Sequence, residues 1–183
     1  MTTATRALGL LLVLALGACS RVPGQLVPDV RSHPAVVLEM LRLARVGPDD
    51  VVYDLGSGDG RIVIAAAHEF GARGVGIEIH PGLVEESRRR ARWYGVAGRV
   101  RILEGDLFTA DLREATVVTL YLSGELNRRL RPKLLAELRP GARIVSQQFD
   151  MGDWPADARR QVQADGRTQE LFLWIVPAPG RRS

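Results

Sequence analysis

One stretch constrains this chain more than any other: Val51-Val-Tyr-Asp54-Leu-Gly56-Ser57-Gly58-Asp59-Gly60-Arg61-Ile-Val-Ile64. Its apolar, β-branched opening reads as a buried strand, and its end reads as the start of an amphipathic helix. Between them stand three glycines at alternate positions. A backbone without Cβ atoms turns sharply there and lets a ligand lie against it. The helix that follows offers unpaired N–H groups in its first turn. This is the corner at which doubly wound parallel sheets bind nucleotide-like ligands, beyond the carboxyl ends of the strands.

Spacing narrows the ligand. A dinucleotide fingerprint is Gly-x-Gly-x-x-Gly with a pyrophosphate on the helix N-terminus. In this chain the third glycine comes one residue early, Arg61 takes the later place, and Asp54 precedes the first glycine by two. An acid there suits a ligand carrying an ammonium and a sulfonium better than a pyrophosphate. Residues 74–79 read as a second strand carrying Glu78, about 20 residues past the glycines, where a carboxylate accepts from ribose hydroxyls. Residues 101–108 read as a third strand with Asp106 at its tip.

With these residues in view, the chain resembles the class I S-adenosylmethionine (SAM)-dependent methyltransferases. It looks closest to bacterial relatives of the ATP synthase c-subunit lysine methyltransferase family. The supporting segments are Asp54 to Val63, Gly105-Asp-Leu-Phe108, Leu138-Arg-Pro-Gly-Ala-Arg-Ile-Val-Ser146 and Phe149 to Trp154. The resemblance implies an α/β, Rossmann-like doubly wound sheet, mostly parallel, ending in an antiparallel hairpin. It also implies a set of roles. Gly56, Ser57, Gly58 and Gly60 lie close to the methionine and ribose portions of SAM. Asp54 helps hold the ammonium, Glu78 the ribose, and Asp106 with Leu107 frames adenine. No metal is called for.

Bulk composition is that of an ordinary globular chain: 183 residues, 46% hydrophobic and 25% charged. One domain is expected. Basicity is almost wholly arginine, with Lys133 the only lysine and a formal net charge of +4. The arginines do not read as a cluster interleaved with aromatics of the kind a nucleic-acid platform needs, and no nucleic-acid partner is expected. Cys19 is the sole cysteine, so no internal disulfide or cysteine-based metal site forms.

Residues 1–20 read as a segment apart from the fold. Arg6 precedes an apolar run of signal-peptide length, and Leu16-Gly-Ala-Cys19 resembles a lipobox in which Cys19 becomes lipidated. A plain secretory signal and a short retained anchor are the other readings. SAM is made in the cytosol, so an exported enzyme lacks an obvious donor. The domain therefore sits inside on an anchor, starts downstream as a cytoplasmic protein, or has lost its activity outside. Residues 21–33 read as a linker and 34–178 as the methyltransferase domain.

Along that domain, residues from Pro34 onward carry an apolar helical stripe stopped at Gly47-Pro48. Ser32 and His33, at the mouth of this helix, could touch ligand or substrate, but capping is the commoner job for Ser32 and the surface the commoner place for His33. Pro81 opens a further helix running to Tyr94, and His80 is expected either to line the adenosine pocket or to stand only at its rim. Residues 115–123 read as the fourth strand, whose end faces the transferred methyl, so Tyr121 is the candidate at the acceptor. Adenine- and glutamine-methylating enzymes carry Asn/Asp-Pro-Pro-Tyr there; this chain does not. A helix interrupted at Pro132 follows, then a fifth strand over 142–148. The aromatic, acid-bearing 149–155 loop brings Trp154, with Leu122, to the acceptor channel. Asp165-Gly166 marks a hairpin.

The expected reaction is methyl transfer from SAM to a nucleophile, with a protein lysine on a membrane protein as the acceptor implied by resemblance. Two other classes remain open at this point: a non-catalytic envelope lipoprotein on the same fold, and an NAD-dependent oxidoreductase, which the glycine spacing disfavours.

Overall fold

The computed structural model describes residues 31–178. The apolar N-terminal run, the lipobox with Cys19 and the linker up to residue 30 lie outside the described residues. The elements are α1 (Pro34–Leu43), β1 (Val51–Leu55), α2 (Arg61–Phe70), β2 (Arg73–Glu78), α3 (Pro81–Trp93), β3 (Val100–Glu104), β4 (Val117–Leu120), α4 (Gly124–Glu137), β5 (Arg143–Gln147), β6 (Ala158–Ala164) and β7 (Arg167–Ile175).

All seven strands join one sheet in the order β3-β2-β1-β4-β5-β7-β6. Strands β1 to β5 run parallel, and β7 enters antiparallel between β5 and β6. The expected doubly wound sheet with a terminal hairpin is the one observed. Strand order reverses between β1 and β4, so a crevice opens at their carboxyl ends. Interior strands must bury both faces, and β1 is buried along its whole length. Alternate side chains feed two cores. Tyr53, Leu55, Leu120 and Leu122 pack with Leu126, Leu130 and Leu134 of α4. Val52, Val117 and Val145 pack with Val36, Met40 and Leu41 of α1 and with Ile62 and Ala66 of α2.

Close packing of α2 on β2 depends on missing side chains. A Cβ at Gly74 would stand 2.8 Å from the carbonyl oxygen of Val63, and one at Gly76 would stand 2.6 Å from Ser57 Oγ. The hairpin turns at Asp165 and Gly166, both left-handed, at φ 49° and 68°. Two left-handed residues in succession match the twist of the flanking strands.

Several expected boundaries shift. β3 ends at Glu104, leaving Asp106 and Leu107 in the turn beyond it, because Asp106 folds back on its own chain: Oδ1 accepts from Phe108 N at 2.8 Å. β4 is short, ending at Leu120, and Tyr121 to Ser123 lie past its edge. α4 is one continuous helix with Pro132 inside it rather than two pieces. Pro132 is solvent-exposed. Its ring costs the carbonyl one turn back its partner but displaces no core contact. At the described end of the expected linker Ser32 is packed in, at 4% exposure. Among the described residues no helix is long and apolar enough to cross a membrane.

Candidate active site

The glycine turn is bound down from beneath. Gly56 and Ser57 both donate their N–H to the Ile77 carbonyl on the neighbouring strand, at 2.9 and 3.0 Å. Gly56, Gly58 and Gly60 all adopt positive φ, at 80°, 53° and 75°, the conformation that excludes other residues at low cost. Gly60 also admits α3: a Cβ there would meet Ser87 Cβ at 3.0 Å. Ser87 in turn donates its hydroxyl to the Gly58 carbonyl at 2.8 Å.

Glu78 sits at the end of β2, beside this turn. Its Oε2 accepts from Gly58 N at 2.8 Å and its Oε1 from His80 N at 2.9 Å. These two bonds fix the plane of the carboxylate and leave further lone pairs on each oxygen. Its own carbonyl receives Gly105 N at 2.9 Å, which places the Asp106 turn next to it. Asp106 itself is exposed and Leu107 half-buried.

Asp54 is enclosed, with 3% of its surface exposed. Thr119 on β4 donates its hydroxyl to Oδ1 at 2.7 Å. Burial pushes the Asp54 carboxyl up to about 7. The Thr119 bond opposes that rise, and the negative charges of Glu78 and Asp59 add to it. Asp59, two residues into the turn, is equally buried but meets the opposite fate. Burial alone would raise its pKa, yet the bidentate hydrogen bonds and charge of Arg61, with the charge of Arg90, outweigh it and hold the carboxyl below its usual range. Arg31 stands 3.7 Å from the same carboxylate. Nothing in the sequence reading singled out Asp59, whose partners lie up to 31 residues away.

At the carboxyl ends of β4 and β5 the outcome differs from expectation in three places. His33, not Ser32, caps α1, its Nδ1 accepting from Ala35 N at 3.2 Å. Ser32 instead donates its hydroxyl to Gln147 Oε1 at 2.6 Å, and its carbonyl receives Arg61 Nη1 at 2.5 Å. Trp154 is packed inside the α4-side core at 4% exposure, 6.1 Å from the Trp174 ring, and its carbonyl accepts from Trp174 Nε1 at 3.0 Å. Leu122 is buried in the same core and meets the space over Gly56. Tyr121 remains half-buried at the end of β4. Asn127, fully buried on α4, ties the loop after β5 by donating to the carbonyls of Phe149 and Asp150, at 3.0 and 3.3 Å. Neither Gln147 nor Asn127 was anticipated, because each is defined by partners in other elements.

The far end of the molecule holds a different surface. Trp93 is 79% exposed and meets Tyr94 edge-on at 4.7 Å, while Tyr94 meets His68 at 5.7 Å. Arg73 and Arg99 line a shallow groove with Tyr94 and His68. This surface lies at the amino-terminal ends of β2 and β3, away from the glycine turn.

The residues around the glycine turn fit a SAM-like ligand. An exposed, left-handed glycine lies at the crevice, a carboxylate with spare lone pairs flanks it, and a buried acid stands behind it. Residues 54–158 match the family described as the ANTKMT methyltransferase domain. The chain belongs to this methyltransferase family. It is 40% identical over 82% of its length to a protein-lysine N-methyltransferase of Saccharolobus islandicus, covering 94% of that protein. It is 41% identical to the adenine nucleotide translocase lysine N-methyltransferase of Mus musculus over 73% of this chain, but spans only 58% of that longer protein. A Salinibacter ruber structure described as an RNA methyltransferase, in complex with S-adenosyl-L-homocysteine, superposes with a TM-score of 0.76. It is 51% identical, with 83% of this chain and 98% of that one covered. The chain is a SAM-dependent methyltransferase, and the oxidoreductase reading falls away.

Proposed function

We propose that this methyltransferase acts on the side-chain amine of a protein lysine. The observation that carries the reading is the 40% identity to a protein-lysine N-methyltransferase across nearly that protein's whole length. The absence of Asn/Asp-Pro-Pro-Tyr after β4 agrees with it. SAM, when bound, supplies a methyl group on a positively charged sulfur and so needs no further activation. The protein's part is to position both partners and exclude water. In this reading Gly56, Ser57, Gly58 and Gly60 give close approach, Glu78 holds the ribose hydroxyls, and Asp106 with Leu107 frames the base. Asp54 answers the ammonium, and Tyr121 faces the acceptor. An amine must arrive neutral, and an apolar approach favours that form by desolvation. For Trp154 the packing against Trp174 supports a structural part in holding the post-β5 loop, in place of direct contact with the acceptor.

The Salinibacter ruber relative favours a second acceptor class, RNA. One experiment separates them. Purified protein with methyl-labelled SAM is offered a cell extract divided into protein and RNA fractions. Methyl-lysine identified by mass spectrometry in the protein fraction is the expected result; label confined to methylated nucleosides would replace the lysine reading with the RNA one. For localisation, we propose that lipidated Cys19 or the apolar N-terminal segment tethers the enzyme to a membrane. Metabolic labelling with a fatty-acid probe should mark the wild-type chain and not Cys19→Ser. Unlabelled wild type that stays in the soluble fraction would contradict the tether.

A further inference from the structure

The short segment before α1 is bonded to elements on both sides of β4. At one side the carbonyl of Ser32 receives Arg61, at the start of α2 just past β1; at the other its hydroxyl reaches Gln147, the last residue of β5. β4 lies between β1 and β5 in the sheet. Ser32 therefore stands over the carboxyl end of β4, where Tyr121 leaves the strand. Side-chain alternation agrees. Val118, Leu120 and Leu122 enter the α4-side core, which leaves Tyr121 on the opposite face with Thr119 and Asp54. Val145 packs on that same opposite face, and so does Gln147 two residues on. The last register pair of the two strands is Leu120 with Ser146, so Tyr121 and Gln147 come next on neighbouring strands.

Ser32 and Gln147 are 4% and 2% exposed. A polar pair so enclosed costs stability unless every bond is made, and an apolar pair would roof the crevice with less risk. The amide of Gln147 is held at both ends: Nε2 donates to Gln169 Oε1 at 2.9 Å, and Oε1 takes the Ser32 proton. That oxygen retains a second lone pair. The next residue, Gln148, takes a left-handed φ of 67°, strained for a non-glycine residue and of the kind that gathers at working sites.

We propose that Gln147 orients the acceptor amine, with Ser32 as the positioning residue that holds its amide in place. The inference rests on the amine-acceptor reading above. The neutral amine, its extra proton already released to solvent, donates one N–H to Gln147 Oε1 and so aims its lone pair at the methyl carbon. The nitrogen–carbon bond forms as the carbon–sulfur bond breaks, with that pair remaining on sulfur. The product ammonium then releases a proton to solvent.

The test uses the full chain with Gln147→Met, Gln147→Glu, Ser32→Ala and Ser32→Thr. Calorimetry with S-adenosyl-L-homocysteine reports whether each variant is folded and binds at the donor site. Gln147→Met, which cannot accept a hydrogen bond through oxygen, should keep that affinity within about twofold. It should lower kcat on a lysine acceptor by about tenfold to 100-fold, the scale of a misplaced reactant. Gln147→Glu retains an accepting oxygen and should lose less. Ser32→Ala should fall by roughly tenfold and Ser32→Thr recover, because only Thr restores the donated bond. Undiminished turnover of Gln147→Met on lysine overturns the proposal. So does loss of homocysteine-analogue affinity in step with kcat/KM, which would make the pair a clasp for the donor. Wild-type label found only on RNA removes the amine, and both readings with it.

Discussion

Asp54 holds its carboxyl where water does not reach, and that placement makes two measurable demands. Without ligand, the folded state keeps this proton up to about pH 7, whereas an unfolded chain releases it near 3.9. Across that window the folded state binds more protons, so stability falls as pH rises from about 4 to about 7, on the scale of 1.4 kcal/mol per pKa unit. Urea unfolding of the ligand-free protein at pH 5 and pH 7 should show the fall, and Asp54→Asn should flatten it. The second demand concerns binding. On the role proposed for Asp54 the ligand's ammonium is answered by the ionised acid, so S-adenosyl-L-homocysteine should bind more tightly as pH rises through 7 and release a proton at pH 6. Asp54→Asn should release none. Glu78 is simpler: both oxygens already organise Gly58 and His80. Glu78→Ala should weaken donor binding by tenfold or more, about 1.4 kcal/mol per decade, and unchanged binding would remove Glu78 from the site. These two acids could be picked out in the sequence because each has a set spacing from the glycine turn. Ser32 could be placed at the mouth of the site, but its partner Gln147 could not, since 115 residues separate the two ends of their hydrogen bond.

Among the elements, α2 and β2 show where packing depends on an absent methyl group. The neighbour of Gly74 is the Val63 carbonyl, helix backbone that cannot swing aside. Gly74→Ala should therefore destabilise the fold by about 1–3 kcal/mol through overpacking. In thermal melting that is a loss of several degrees, at roughly 2–4 °C per kcal/mol for a chain of this size. An unchanged melting temperature would show that α2 rides more loosely on the sheet than described. Helix periods and turn residues made the elements readable: α2 begins where the sequence placed it, and Asp165-Gly166 turns as expected. Strand ends were less readable. β3 and β4 stop early because their last residues take bonds outside the ladder, Asp106 with its own turn and Ser123 as the cap of α4. Pro132 misled for a related reason, its ring facing solvent on a helix held by Leu126, Leu130 and Leu134 from the other side.

For the molecule as a whole, the crevice draws its walls from β1, β2 and β4, and the segment ahead of α1 is bonded to Arg61 and Gln147 beside it, so a ligand there joins parts far apart in the chain. Donor binding should accordingly protect the fold globally. At 100 times its Kd, S-adenosyl-L-homocysteine should add about 2.7 kcal/mol and raise the melting temperature by several degrees. Glu78→Ala should show a smaller rise at the same concentration. The route of the chain also has a geometric corollary. Residues 31–33 enter the domain along the lip of the crevice, clasped by Arg61 on one bank and Gln147 on the other. Whatever is joined upstream therefore starts from the doorway rather than from the back wall.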